Sequence, residues 1–293
     1  MKKATIMIVV SMAIFGPIGA FKRYIAVSAG ELALYRAVLA AVLIAVVLAV
    51  TRNPVSWSGI RKQLPILLIS GAAMGINWIL LFEAYEHTTV SAATLSYYFA
   101  PVIVTGLCPI LFKEKLTGKQ IACFVVSTVG LVLITGFDSG EGDHLMGILF
   151  GLGAAAFYAT VILLNKFIKG VDGIHRTFLQ FLAAIVVLVP YVALTGGVTL
   201  GGLNTSGWVN LLIVGLVHTG LCYILYFSAL KELPGQKAAI LSYIDPLVAV
   251  LVSVTFLQET MEPLQWAGGI MILGATLVNE ITLKKPAKKI PET

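Results

Sequence analysis

Charged side chains are scarce in this sequence. Aspartate, glutamate, lysine and arginine supply 12% of the 293 residues and apolar types 58%, against roughly 25% and 45–50% in an average soluble domain. That leaves too little charge to cover a water-soluble core, which excludes an ordinary cytosolic globule. Polar connecting segments are also short. The longest, TRNPVSWSGIRKQ and TGGVTLGGLNTSG, leave no room for a separate soluble domain, so any activity has to lie among the apolar segments. Cysteine occurs three times, as Cys108, Cys123 and Cys222, without disulfide or zinc spacing. All three are read as small packing residues.

Catalytic constellations are missing too. There is no HExxH and no G-x-S-x-G, and His87, His144, His175 and His218 are scattered. The letters GEGD at 140–143 match the GxGD of intramembrane aspartyl proteases, but they fall in a connecting segment without a second membrane aspartate. An enzyme is therefore not expected, and neither a cofactor nor a metal.

What is present is long apolar runs. Windows of about 19 residues give ten candidate spans, 4–21, 31–51, 64–86, 91–112, 119–137, 145–168, 175–194, 208–230, 236–257 and 264–283, with mean hydropathy +0.95 over the chain. The first is read as a true helix rather than a signal peptide, because Lys22-Arg23 follows it where small cleavage-site residues belong. Ten crossings put both termini on one side. With that side cytoplasmic, every lysine and arginine except Lys22, Arg23 and Arg36 falls inside, while the outer segments DSGEGDH and QETMEP are acidic. The positive-inside rule then gives N-in and C-in in the cytoplasmic (inner) membrane. The basic tail, 284–293, is suited to anionic headgroups rather than nucleic acid.

A constant offset of 145 residues aligns the third and fourth spans with the eighth and ninth. Gly75 meets Gly220, Phe82 meets Phe227, Tyr98 meets Tyr243, Pro101 meets Pro246, Glu114 meets Glu259 and Gln120 meets Gln265. Near the start an offset of 143 pairs Phe15 with Tyr158. Each half, 1–138 and 145–283, holds five spans, an odd number, so the second half enters the membrane with opposite orientation. The expected fold is all-α, ten transmembrane helices in two five-helix inverted-topology repeats, an arrangement that builds secondary transporters with a site near the midplane.

The paired segments APVIVTGLCPILFKEKLT and DPLVAVLVSVTFLQETME, the T-x-x-S-A-A-T-L start of the fourth span and Arg36 early in the second resemble the drug/metabolite transporter superfamily, specifically its ten-helix EamA-type members. The resemblance covers about residues 4 to 283. It implies an alternating-access permease with a central cavity lined by the first, third, fourth, sixth, eighth and ninth spans. It also implies export of an amino acid or other metabolite. A facilitative uptake carrier or a channel-like pore is the alternative, although no ring of like charges is present. Expected partners are a small-molecule substrate and the bilayer, with the chain as a monomer or homodimer.

Several residues carry the candidate chemistry. Pro101 and Pro246 occupy equivalent helix interiors and should kink both helices. Asp245, whose repeat partner is Ala100, either caps a half-helix starting at Pro246 or serves as a proton or cation site; with His218 at similar depth it could form a proton relay. Glu83, beside Trp78, Asn77, Tyr97 and Tyr98, offers a carboxylate near aromatic faces for an ammonium group. Phe15, Tyr158, Tyr223, Ser242 and Tyr243 complete the expected cavity lining. Arg36 either takes a substrate carboxylate or, as the favoured reading, pairs with Glu31 or Glu83 as an anchor. Glu114 and Glu259 are read as caps or gates at opposite faces, and Lys22, Arg23 and Lys166 as snorkelling anchors.

Overall fold

Lipid offers no hydrogen-bonding partner, so a segment crossing it must satisfy its own backbone. Every element among the described residues is helical. A computed structural model describes residues 2–53, 60–112, 116–135, 142–230, 232–233 and 241–282. Seven helices are long and apolar enough to cross a membrane: Lys2–Lys22, Ala29–Val50, Leu64–His87, Val90–Leu107, Asp143–Asn165, Gly173–Thr195 and Thr205–Leu230. Gly118–Ile134 and Ile244–Thr255 are shorter apolar helices, and Pro263–Thr282 follows. Each of the ten expected spans has its helix, numbered here as spans 1 to 10, and the fold is an all-helical multi-pass membrane bundle.

Proline sets the interruptions. Pro101 cannot donate to the carbonyl four residues back, and span 4 breaks after Val90–Tyr97, resuming as Ala100–Phe112. Span 9 breaks at Tyr243 before the helix Ile244–Thr255, three residues ahead of Pro246. The two breaks thus fall at Tyr98 and Tyr243, which the 145-residue offset makes equivalent. Span 1 is interrupted as well, at Gly16-Pro17 between Lys2–Phe15 and Ile18–Lys22. Span 8 runs as a π-helix over Ile213–Leu221, a wider winding frequent at functional sites.

Small residues decide which helix faces meet. Span 2 buries Ala33, Ala37, Ala40 and Ala41, while Val42, Val46 and Val50, at four-residue spacing, remain exposed as a face suited to lipid. Spans 3 and 6 pack along each other, as do spans 8 and 1; span 7 packs on 3 as span 2 packs on 8; span 4 packs on 6 as span 9 packs on 1. Spans 2 and 7, 4 and 9, and 5 and 10 pair directly. Every contact just named recurs with all numbers moved by five. Two polar ties follow the same exchange at opposite ends of span 2. Glu31, at its start, accepts from the Thr199 backbone N–H (2.6 Å) and hydroxyl (2.7 Å), and the Asn53 carbonyl, just beyond its end, lies 3.1 Å from His175 Nε2.

Gly16 marks a close approach of span 1 to the break in span 9. A Cβ at residue 16 would stand 2.8 Å from the Asp245 carbonyl oxygen and 2.8 Å from Val248 Cβ. Gly16→Val is therefore expected to overpack this contact by about 1–3 kcal/mol. Detergent-purified protein should lose roughly 2–8 °C of its thermal midpoint; an unchanged midpoint would contradict the contact.

Candidate functional site

Asp245 enters the first turn of the helix Ile244–Thr255, one residue after its start, and the N-cap residue is Tyr243. The carboxylate does not cap that helix. Its Oδ2 accepts a hydrogen bond of 2.5 Å from the Tyr98 hydroxyl, across from span 4. The two breaks make this contact: each frees the chain from regular helix where span 4 faces span 9. Asp245, Tyr97 and Tyr98 all keep part of their surface accessible.

Aromatic rings extend from this pair. Tyr97 stands edge-on to Tyr98 with centroids 5.8 Å apart and lies 5.3 Å from Tyr158 of span 6, which is 38% exposed. A second run joins Phe15 to Tyr223 at 5.3 Å, Tyr223 to Phe181 at 5.2 Å and Phe181 to Trp78 at 5.3 Å. Phe227 stacks on Tyr223 at 6.0 Å. Ser242 is hydrogen-bonded to Tyr226. Most of the expected aromatic residues thus stand in ring contact with one another, and Tyr98 of this set bonds Asp245 rather than Glu83.

Other expected members lie apart. Asn77 is buried and donates from Nδ2 to the Ala154 carbonyl at 2.6 Å, tying span 3 to span 6. Glu83 lies 4.0 Å from His87 near the end of span 3. His218 is buried against the Phe21 ring at 4.6 Å and hydrogen-bonded to the Ile14 backbone, with Nδ1 unpartnered among the described residues. No hydrogen bond joins it to Asp245 among the described residues, so the geometry does not bring the expected relay together. Cys222 and Ser11 exchange side-chain bonds with each other's carbonyls, at 3.5 and 2.9 Å, as packing residues of spans 8 and 1.

Arg36 departs most from expectation. It is 4% exposed and has no carboxylate partner among the described residues. Glu31 is engaged by Ser28, Tyr35 and Thr199, and Glu83 by His87. Arg36 Nε instead donates to Thr219 Oγ1 at 3.1 Å, and the guanidinium carbon lies 4.4 Å above the Trp78 ring and 5.3 Å from that of Phe82. The π-helical turn serves this contact, because Thr219 also donates to the Val214 carbonyl five residues back. An arginine within a span costs about 2.5–3.5 kcal/mol on insertion scales. One charged hydrogen bond returns about 1.5–3 and a desolvated cation–π contact about 2, so the side chain is tolerable without an anion.

At one end of the bundle, a cavity of about 970 Å³ is lined by Lys22, Arg23, Glu31, Glu86, His87 and His144 among others. Lys22 is not a snorkelling anchor. Lys22 is buried and paired with Glu86, and Arg23 pairs with Glu259. Glu259, 6% exposed, also accepts from the Ser253 hydroxyl and from the backbone N–H groups of Val90 (3.1 Å) and Ser91 (3.5 Å). The first turn of span 4 thus has its free N–H groups capped by a carboxylate from the other half. Glu114 lies outside the described residues.

A bundle of helices long and apolar enough to cross a membrane, with an acid and a buried cation set among aromatic rings, places the chain among multi-pass membrane proteins. The EamA-like transporter family profile matches residues 2–136 and again 145–280. The chain belongs to this family, within the drug/metabolite transporter superfamily. It is 29% identical over 272 residues, 92% of this chain and 86% of the relative, to the uncharacterized transporter YxxF of Bacillus subtilis strain 168. It is 26% identical over 230 residues, 78% of this chain and 75% of the relative, to the threonine/homoserine exporter RhtA of Escherichia coli strain K12. A crystal structure with 15% identity superposes at a TM-score of 0.68, covering 94% of this chain and 96% of that one, which bears on the fold alone.

Proposed function

We propose that this protein is a secondary active transporter of the cytoplasmic (inner) membrane that exports a small amino acid or amine by alternating access. The observation that carries the reading is Asp245, a partly accessible carboxylate at the break of span 9, held by Tyr98 of the other half and flanked by aromatic faces. An ammonium group suits that site through Coulomb and cation–π attraction. Tyr97, Tyr158, Tyr223 and Phe15 supply apolar walls, with Ser242 and Tyr243 at the break. The relative named a threonine/homoserine exporter supports both the substrate class and the direction.

The two halves are inverted repeats with cytoplasmic termini on this reading. The five-span recurrence of contacts, the opposite placement of the Glu31–Thr199 and Asn53–His175 ties, and the lysine and arginine distribution support it. Glu259 is the outer gate and Glu114 its inner counterpart. One carboxylate cannot hold a proton and an ammonium group together. Loading Asp245 from either side then alternates the two, which couples export of the solute to entry of a proton.

The test is ligand-induced stabilisation. At one hundred times its dissociation constant a ligand adds about 2.7 kcal/mol to the bound state. Amino acids or amines should raise the midpoint of the purified protein and sugars should not, and Asp245→Asn should diminish the rise. Stabilisation by sugars alone, or equal stabilisation of the variant, would reject the acidic cavity.

A further inference from the structure

We propose that Arg36 is the carboxylate-binding residue of the transport site, and that the solute is therefore a zwitterion carrying both a carboxylate and an ammonium group. This rests on the transporter reading and narrows its substrate class, because a simple amine would leave Arg36 unanswered.

Arg36 lies seven residues into span 2, about 10 Å along the helix from Ala29. The titratable side chains within electrostatic reach of it include Tyr223, Tyr97, Tyr85, Cys222 and His218, none of them a carboxylate. Its Nε is committed to Thr219 and one guanidinium face to Trp78. No carboxylate among the described residues pairs with the outer edge of the fork, an edge that can receive a carboxylate bidentately. The contacts that hold it also aim it, since Thr219 is fixed by the π-helical turn and Trp78 by Phe181.

Asp245 is the complementary group. Tyr223 and Tyr85 lie within electrostatic reach of both Arg36 and Asp245, although no ion pair joins the two charges among the described residues. A cation and an anion that are not paired with each other can each take one end of a zwitterion. A purely structural arginine predicts something different, with every solute losing transport equally when it is replaced.

The experiment uses matched probes in proteoliposomes holding the full chain. Neutral L-amino acids are compared with their decarboxylated amines, such as threonine with 1-amino-2-propanol and leucine with isoamylamine, in wild type, Arg36→Gln and Arg36→Lys. Wild type should exchange at least one amino acid and discriminate against its amine about tenfold or more. Arg36→Gln should erase that preference by losing the acid while leaving the amine within about twofold, and Arg36→Lys should restore part of it. Should Arg36→Gln fail to fold, a wild-type background with Trp57, Trp208 and Trp266 replaced by Phe reports binding through Trp78 emission, which the amino acid should change and the amine should not.

Equal loss for both probes, or unchanged preference, overturns the proposal. Wild-type exchange of amines without amino acids also overturns it while leaving the transporter reading intact. Wild type that moves and binds neither class rejects both.

Discussion

Asp245→Asn is expected to reduce uphill solute movement driven by a pH gradient to background in reconstituted vesicles. The asparagine keeps the shape that meets Tyr98 but holds neither a proton nor the charge that attracts an ammonium group. Losing one charge-assisted contact of about 1.5–3 kcal/mol corresponds to roughly 10- to 150-fold weaker binding. The residual downhill flux should no longer depend on pH, because the group that exchanges proton for solute is gone. Folding should survive, since the amide still accepts from Tyr98 in a partly accessible position. Continued concentration of solute by the variant under a pH gradient would remove Asp245 from the coupling step.

Glu259→Gln should act at the opposite end of the cycle. Glu259 joins Arg23, Val90 and Ser91 of the first half to Ser253 of the second, while being almost fully buried. Removing one partner from a buried ion pair costs about 3–5 kcal/mol. Arg23 is 41% exposed, so water shares its charge and about 1–2 kcal/mol is expected here. That is enough to move a balanced equilibrium about tenfold toward separation of spans 4 and 9 at this end. Ser91→Cys in a background lacking Cys108, Cys123 and Cys222 would read the change. An impermeant maleimide applied from the outer face should label it roughly tenfold faster once Glu259 is also replaced. Equal rates would show that Glu259 is not the outer tie.

How far the sequence led depended on whether a residue acts within its own helix or across the bundle. The breaks before Pro101 and Pro246 were legible because a proline disrupts its own preceding turn, and the 145-residue offset marked Tyr98 and Tyr243 as equivalent. The break at Gly16-Pro17 is equally readable in the letters of span 1, whereas the repeat marks Phe15. Asp245 looked like a cap because Asp-Pro is a helix-start pair. The helix begins two residues earlier, at Ile244, and the side chain turns to a tyrosine 147 positions away, which no local rule reports.

The charged residues were the hardest to assign. Arg36, Lys22 and Arg23 all sit where depth alone permits several partners. Lys22 found Glu86 and Arg23 found Glu259, leaving Arg36 to Thr219 and Trp78. The π-helical winding at Ile213–Leu221 that supplies Thr219 has no propensity signal of its own. Phe227 was visible as the repeat partner of Phe82, whereas Phe181 lies in a span that the resemblance did not assign to the cavity.

The central claim is that a single alternately exposed site between the halves carries solute. It is tested most directly by counterflow in proteoliposomes, with unlabelled amino acid inside and a trace of labelled amino acid outside. A carrier predicts transient accumulation of label above its equilibrium level, saturable by external substrate and strongly reduced in Asp245→Asn. Flux that rises linearly with concentration, shows no overshoot and is undiminished in Asp245→Asn would contradict the account and indicate a pore.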